Sequence, residues 1–216
     1  EDTMLVGERM TKNPVVITRE TGVDDALRLM RDRNVRRLPI VDSNGSLIGI
    51  VSDKDLYLAS PSPATSLDIF ELRYLLSRLN VEKIMSTPVI TVTPKTPLEE
   101  AARIMADKKI GGLPVIEGNS LVGIITESDL FKIFVELLGA RKPGVRVTVV
   151  VPDVKGELAT LTSAIAVRGG NIMALATLEG IKPGTFEVMM KTDLDMATVR
   201  DTLERLSGEI IDIREA

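Results

Sequence analysis

The sequence has 216 residues, room for one large domain or two to three small ones, and is 44% hydrophobic and 27% charged. With neither Cys nor His, it has no disulfide framework, thiol nucleophile, His-dependent catalytic base or Cys/His zinc site. A net charge of −4 without a basic run argues against a nucleic-acid face, and no apolar stretch nears the roughly 20 residues of a membrane span.

Aromatic residues are 3% of the chain and Trp is absent, so the core must be aliphatic, which suits β-branched strands covered by Leu/Ala/Met helices. Composition leaves carboxylate-only Mg2+ or Ca2+ binding open, but no metal is expected. Glu1-Asp2-Thr3 ahead of Met4 reads as a remnant added to a natural start. No leader is recognisable, so the expected location is cytoplasmic.

Two segments, Val6–Leu58 and Val81–Ile133, repeat one pattern at an offset of about 75 residues. Each opens with a short stretch ending in Met (Met10, Met85) and passes a Pro (Pro14, Pro88) into a β-branched run, Val15–Thr18 or Val89–Thr93. Thr21 and Thr96 stand where a helix N-cap belongs, with acids following that oppose the positive helix end. Val23, Ala26, Leu27, Leu29 and Met30 fit one buried helix face, as do Leu98, Ala101, Ala102, Ile104 and Met105 in the second copy. A buried strand comes next (Val35–Val41, Ile110–Ile116), then a turn marked by Asn44-Gly45 or Gly118-Asn119. A second strand (Leu47–Val51, Leu121–Ile125) leads into Ser52-Asp53-Lys54-Asp55 or Thr126-Glu127-Ser128-Asp129, which opens a last helix. Each unit is thus a three-stranded sheet with two helices, too small to close its own core, so the two should pack together.

Between the repeats, Ala59–Ser66 is a loop by composition, and Leu67–Leu79 reads as a connecting helix. Gly139–Gly144 is a helix stop and linker. The remainder reads as strand Val145–Val151, helix Glu157–Arg168 ended by Gly169-Gly170-Asn171, strands Ile172–Leu178 and Thr185–Met190, helix Met196–Leu206 and strand Glu209–Ile213. That order is βαββαβ, a ferredoxin-like plait. The domains are therefore 4–60, 61–80 (connector), 81–139 and 145–216, in an α/β (α+β) chain.

The Met…Pro-Val opening, the Leu-Pro-Ile/Val strand and the Gly-hydrophobic-hydrophobic-Ser/Thr-x-x-Asp ending, in order and twice, resemble a CBS domain, and the pair resembles a Bateman module. The resemblance implies a regulatory module that binds AMP, ADP, ATP or S-adenosylmethionine in clefts between repeats. It places the ribose on Asp55 or Asp129 and a phosphate near Ser52 or Thr126, at a helix start that favours anions. The adenine would lie beside Ile17, Thr18, Leu38 and Pro39, or Val92, Thr93, Leu113 and Pro114. Arg36, Arg37 and Lys54 offer charge to phosphate in the first repeat, where the second has Gly111, Gly112 and Ser128. Two plainer readings stand beside this: Ser/Thr-x-x-Asp is also a helix-capping pattern, and Arg36-Arg37 is also a solvated strand edge.

The last segment resembles an ACT domain through Asp153, Gly156, Leu158 and Ala159 and the later Gly-Gly-Asn-Ile. That implies dimerisation and an amino-acid site near Asp153, Val154, Gly156, Glu157 and Leu158. Lys155 replaces the Pro that often precedes this Gly, which leaves a ligand-free dimerisation plait as the alternative. The domain order, with Ala-Ser-Pro-Ser between the repeats, looks like the AcuB-type acetoin-utilisation proteins. The expected function is a non-catalytic, homodimeric ligand sensor acting on a regulated protein. The alternatives are a scaffold without small ligand, or an enzyme using carboxylates such as Asp53 and Asp55.

Overall fold

The computed structural model describes residues 4–59, 79–206 and 208–216. The expected helix at Leu67–Leu79 falls almost wholly outside them. The chain forms two compact units, Glu1–Leu130 and Phe131–Ala216.

The first unit holds the two repeats as far as Leu130, inside their last helix. Repeat one runs through α1 (Val6–Arg9), β1 (Thr11–Lys12), α2 (Val23–Arg33), the hairpin β2 (Arg37–Val41) and β3 (Leu47–Ser52), and α3 (Asp53–Ala59). Repeat two has a 3-10 turn (Val81–Lys83), α4 (Leu98–Lys108), the hairpin β4 (Gly112–Glu117) and β5 (Ser120–Thr126), and α5 (Glu127–Leu137). α2 and α4 bury the faces the periodicity marked, with Val23, Ala26 and Met30 in one and Leu98, Ala101 and Met105 in the other. Both hairpins carry a register shift one residue before their turn side, at Ile40/Val41 and Val115/Ile116.

Two local expectations need correcting. The runs Val15–Thr18 and Val89–Thr93 do not form full strands. Each makes a single parallel bridge to its hairpin, Ile17 to Ile40 and Val92 to Val115. Thr21 and Thr96 are not N-caps: α2 and α4 are capped in position by Gly22 and Pro97, without a side-chain bond. Their hydroxyls instead accept from the N–H of Thr18 (3.2 Å) and Thr93 (3.1 Å), closing a turn just before each helix.

The repeats exchange their openings. β1 of repeat one joins the sheet of repeat two, pairing Thr11 with Ile124 and Lys12 with Gly123. Reciprocally, Ser86 of repeat two bridges Ile50 of repeat one. Val81 lies fully buried in the core of repeat one, among Val23, Leu38, Ile40, Val51 and Leu56. The exchange explains two glycines. A Cβ at Gly49 would run into the Met85 side chain, and one at Gly123 into Met10 and the carbonyl of Thr11 at 3.0 Å. The opening Met of each repeat thus rests on the bare backbone of the other's second hairpin strand.

The second unit is a four-stranded antiparallel sheet in the order β7-β8-β6-β9, built from β6 (Val145–Pro152), β7 (Ile172–Glu179), β8 (Thr185–Thr192) and β9 (Glu209–Glu215). Its helices are α6 (Glu157–Val167) and α7 (Met196–Leu203). Alternate residues of β6 (Val145, Val147, Val149, Val151) pack with Leu161 and Ile165 of α6 and Val199 and Leu203 of α7. The element order is the expected βαββαβ, and Gly169 ends the α6 turn at φ +79.

Candidate functional site

The two Ser/Thr-x-x-Asp motifs fold as near-identical helix starts. Ser52 Oγ donates to Asp55 Oδ2 at 2.7 Å, and the Ser52 N–H donates to the same oxygen at 2.9 Å. In the second repeat, Thr126 Oγ1 donates to Asp129 Oδ2 at 2.7 Å and the Thr126 N–H at 3.0 Å. Asp55 N–H in turn reaches Ser52 Oγ at 3.3 Å, which completes a reciprocal capping box at α3. The capping reading of the motif therefore describes this arrangement. Both hydroxyl protons are committed to the neighbouring carboxylate, so a phosphate arriving here would meet backbone N–H groups and nearby cations first.

The surroundings of the two helix starts differ because Arg37 crosses between repeats. It begins β2 of repeat one, yet its side chain lies over Gly111 and Gly112 of repeat two. A Cβ at Gly112 would stand 3.0 Å from Arg37 Cδ, and one at Gly111 would stand 2.7 Å from its Cζ. The guanidinium then comes within 4.0 Å of Glu127 Oε2, the first residue of α5. Gly112 pairs directly with Thr126, so Arg37 is delivered to the Thr126–Asp129 end of the module. Its side chain is 23% exposed, partly sheltered but open to an approaching anion. The counterpart of Arg37 in repeat two is Gly112, which has no side chain to send back toward Asp55. Lys54 and Arg36 stay on the surface, with the Arg36 carbonyl accepting from Asp53 N–H at 2.9 Å.

The other sequence-marked residues divide by burial. Ile17, Leu38, Pro39, Val92, Gly112, Leu113 and Pro114 are buried, with Leu38 and Leu113 wholly inside the cores. Thr18, Thr93 and Ser128 are exposed. Glu127 was not among the sequence candidates. Its place beside Arg37 depends on that side chain crossing Gly111 and Gly112, which no local pattern announces.

In the second unit, Asp153, Val154, Gly156 and Leu158 lie exposed around the loop from β6 to α6. Gly156 takes φ +91, a backbone that other residues adopt only with strain. Glu157 is buried at the first turn of α6, and its Oε1 has no hydrogen-bond partner among the described residues. A buried, unpaired carboxylate oxygen is costly and marks a place for a donor. Among the described residues, no group of His, Cys, Asp and Glu is placed to hold a metal, and no helix is long and apolar enough to cross a membrane.

Comparison with known proteins agrees with this architecture. The CBS domain family matches residues 6–62 and 81–136, and the TTHA0829-like ACT domain family matches 143–214. A Vibrio cholerae protein described as an acetoin utilization protein, AcuB, superposes with a TM-score of 0.53 at 37% identity, over 65% of this chain and 97% of its own. The CBS domain pair of protein MJ0100, solved with 5-methylthioadenosine and S-adenosyl-L-methionine, gives 0.52 at 27% identity, over 65% and 100%. CBSX2 of Arabidopsis thaliana, solved with AMP, gives 0.51 at 35% identity, over 62% and 97%.

Proposed function

Since the chain belongs to the CBS-domain family and ends in an ACT domain, we propose that it is a non-catalytic regulatory sensor that binds an adenosine nucleotide between its CBS repeats. The working cleft is the one at Thr126 and Asp129, with the ribose on Asp129 and a phosphate drawn by Arg37. The observation that carries this reading is the passage of Arg37 over Gly111-Gly112 to the start of α5. It supplies the one feature a capping box lacks, a partly sheltered cation beside a helix N-terminus. CBS pairs solved with AMP and with S-adenosylmethionine support an adenosine ligand, whether AMP, ADP, ATP or S-adenosylmethionine. Ligand binding would replace the Arg37–Glu127 pair and so favour one packing of the repeats over another, which is what a sensor requires.

In the ACT domain, the buried Glu157 oxygen beside Gly156 supports an amino-acid ligand whose ammonium would supply the missing donor. The chain acts in the cytoplasm as a homodimer that passes its state to a regulated protein, and the likeness to AcuB points toward acetoin utilisation. A scaffold without small ligand is the second reading, favoured by the closed Ser52–Asp55 and Thr126–Asp129 caps.

The test is calorimetric titration with AMP, ADP, ATP and S-adenosylmethionine, repeated on Asp129→Asn and Asp55→Asn. The proposal expects saturable binding that Asp129→Asn abolishes. No heat with any of the four, and no rise in melting temperature, would move the assignment to the scaffold.

A further inference from the structure

The sheet of the second unit has two unlike faces. Val145, Val147, Val149 and Val151 of β6 turn toward α6 and α7. The residues between them turn the other way, and strand register sets their neighbours. Arg146 pairs directly with Lys191 of β8 on one side and with Arg214 of β9 on the other. Three cations therefore stand side by side across three strands, which like-charge repulsion disfavours unless anions answer it. Among the described residues one carboxylate does so. Asp212 Oδ2 accepts from Arg146 Nη1 at 2.9 Å, and its Oδ1 accepts from Arg214 Nη2 at 2.6 Å.

Lys191 is left over. It is 2% exposed, yet among the described residues its ammonium has no hydrogen-bond or ion-pair partner. The carboxylate of Asp193, two residues on, accepts from the Asn171 N–H at 2.7 Å instead. The chain after α5 lies over the lysine stem: a Cβ at Gly139 would stand 3.7 Å from Lys191 Cδ and 3.5 Å from Ala174 Cβ. Enclosing an ammonium without a counter-charge is costly. Arg146, its side chain 39% exposed, keeps an open side next to it. Exposed Arg141 and Lys142, on the segment that carries Gly139 into β6, add charge of the same sign. We infer that Lys191 and Arg146 form an oxyanion site on this face, which takes the carboxylate or phosphate group of a small ligand. The bound group supplies the counter-charge Lys191 lacks and a second acceptor for Arg146. The site is separate from the amino-acid site proposed beside Gly156: β6 ends at Pro152, six residues beyond Arg146 and about 20 Å along an extended strand.

The site does not depend on nucleotide binding, so its reporters are chosen within the second unit. Backbone amide signals of Arg146, Ala174 and Lys191 in isotope-labelled full-length protein are followed by NMR. Inorganic phosphate, acetate or chloride is added at matched ionic strength. Saturable shifts at these amides with phosphate or acetate, and none with chloride, are expected, and the anion that binds names the ligand's group. Lys191→Met, which keeps the side-chain bulk without the charge, weakens binding about 10-fold. Asp212→Asn frees both arginines and tightens binding several-fold, a second reading should Lys191→Met fail to fold. Shifts confined to the starts of α3 and α5 would belong to the nucleotide cleft and overturn the site. An equal response to chloride, no response to phosphate or acetate, or an affinity unchanged in the variants overturns it as well.

Discussion

Replacing Arg37 with Ala separates a phosphate-binding cleft from a structural one. The guanidinium sits against Gly111 and Gly112 and reaches Glu127 at 4.0 Å, a long and partly exposed ion pair that contributes little to stability. Arg37→Ala should therefore leave the melting temperature almost unchanged. A charge-assisted hydrogen bond to phosphate is worth about 1.5–3 kcal/mol. Partial exposure and the loss of Glu127 as partner take this to the lower end, so AMP should bind about 10-fold more weakly. Adenosine has no phosphate and should bind the variant and the parent chain alike. Glu127→Gln removes the carboxylate that competes for Arg37 and should tighten AMP. Calorimetry at two salt concentrations reads all of these, because the Arg37 contribution should shrink as salt rises. Equal weakening of AMP and adenosine, or no effect on AMP, would refute the assignment of Arg37 to this cleft.

Other outcomes follow from the same geometry. Gly123→Ala should destabilise the first unit by about 1–3 kcal/mol in urea melts and Gly49→Ala by less, since Gly123 faces the Thr11 carbonyl as well as Met10 while Gly49 faces only the Met85 side chain. Thr126→Ala and Ser52→Ala should each cost about 1 kcal/mol, the usual worth of a cap, even with no nucleotide present. Acid should weaken the second unit. Asp201 is held below the usual carboxylate range first by its bond to Arg205, Asp212 by Arg214, and Asp195 by the Thr198 hydroxyl. Groups depressed in the folded state stabilise it above their unfolded pKa, near 3.9, and lose that effect as pH falls through the lower folded value. Melting temperature should thus fall below about pH 4, and Asp195→Ala should flatten that fall.

Much of the fold was legible because the repeat showed every turn and amphipathic face twice. Gly45 and Gly118 at positive φ, the buried faces of α2 and α4, and the order of the last six elements all follow from local pattern. What local pattern missed was exchange between repeats. Thr11-Lys12 gives no strand signal by itself; it becomes one by pairing with Gly123 and Ile124. The β-branched runs at Val15 and Val89 looked like strands, yet each makes one parallel bridge, Ile17 bonding Pro39 and Val41 and Val92 bonding Pro114 and Ile116. Thr21 and Thr96 had the right chemistry for a cap but spend their hydroxyls one turn earlier. At the site, the sequence named Asp55, Asp129 and Arg37 but could not say which helix start the arginine reaches. That depends on the side chain crossing two glycines of the other repeat, a tertiary fact with no local signature.

The most direct measurement is a crystal structure of the full chain grown with saturating AMP. The account predicts density for the nucleotide at the start of α5, with the ribose hydroxyls on Asp129 and the phosphate on Arg37, now parted from Glu127. An unchanged Thr126–Asp129 cap and Arg37–Glu127 pair, with no nucleotide between the repeats, would contradict it.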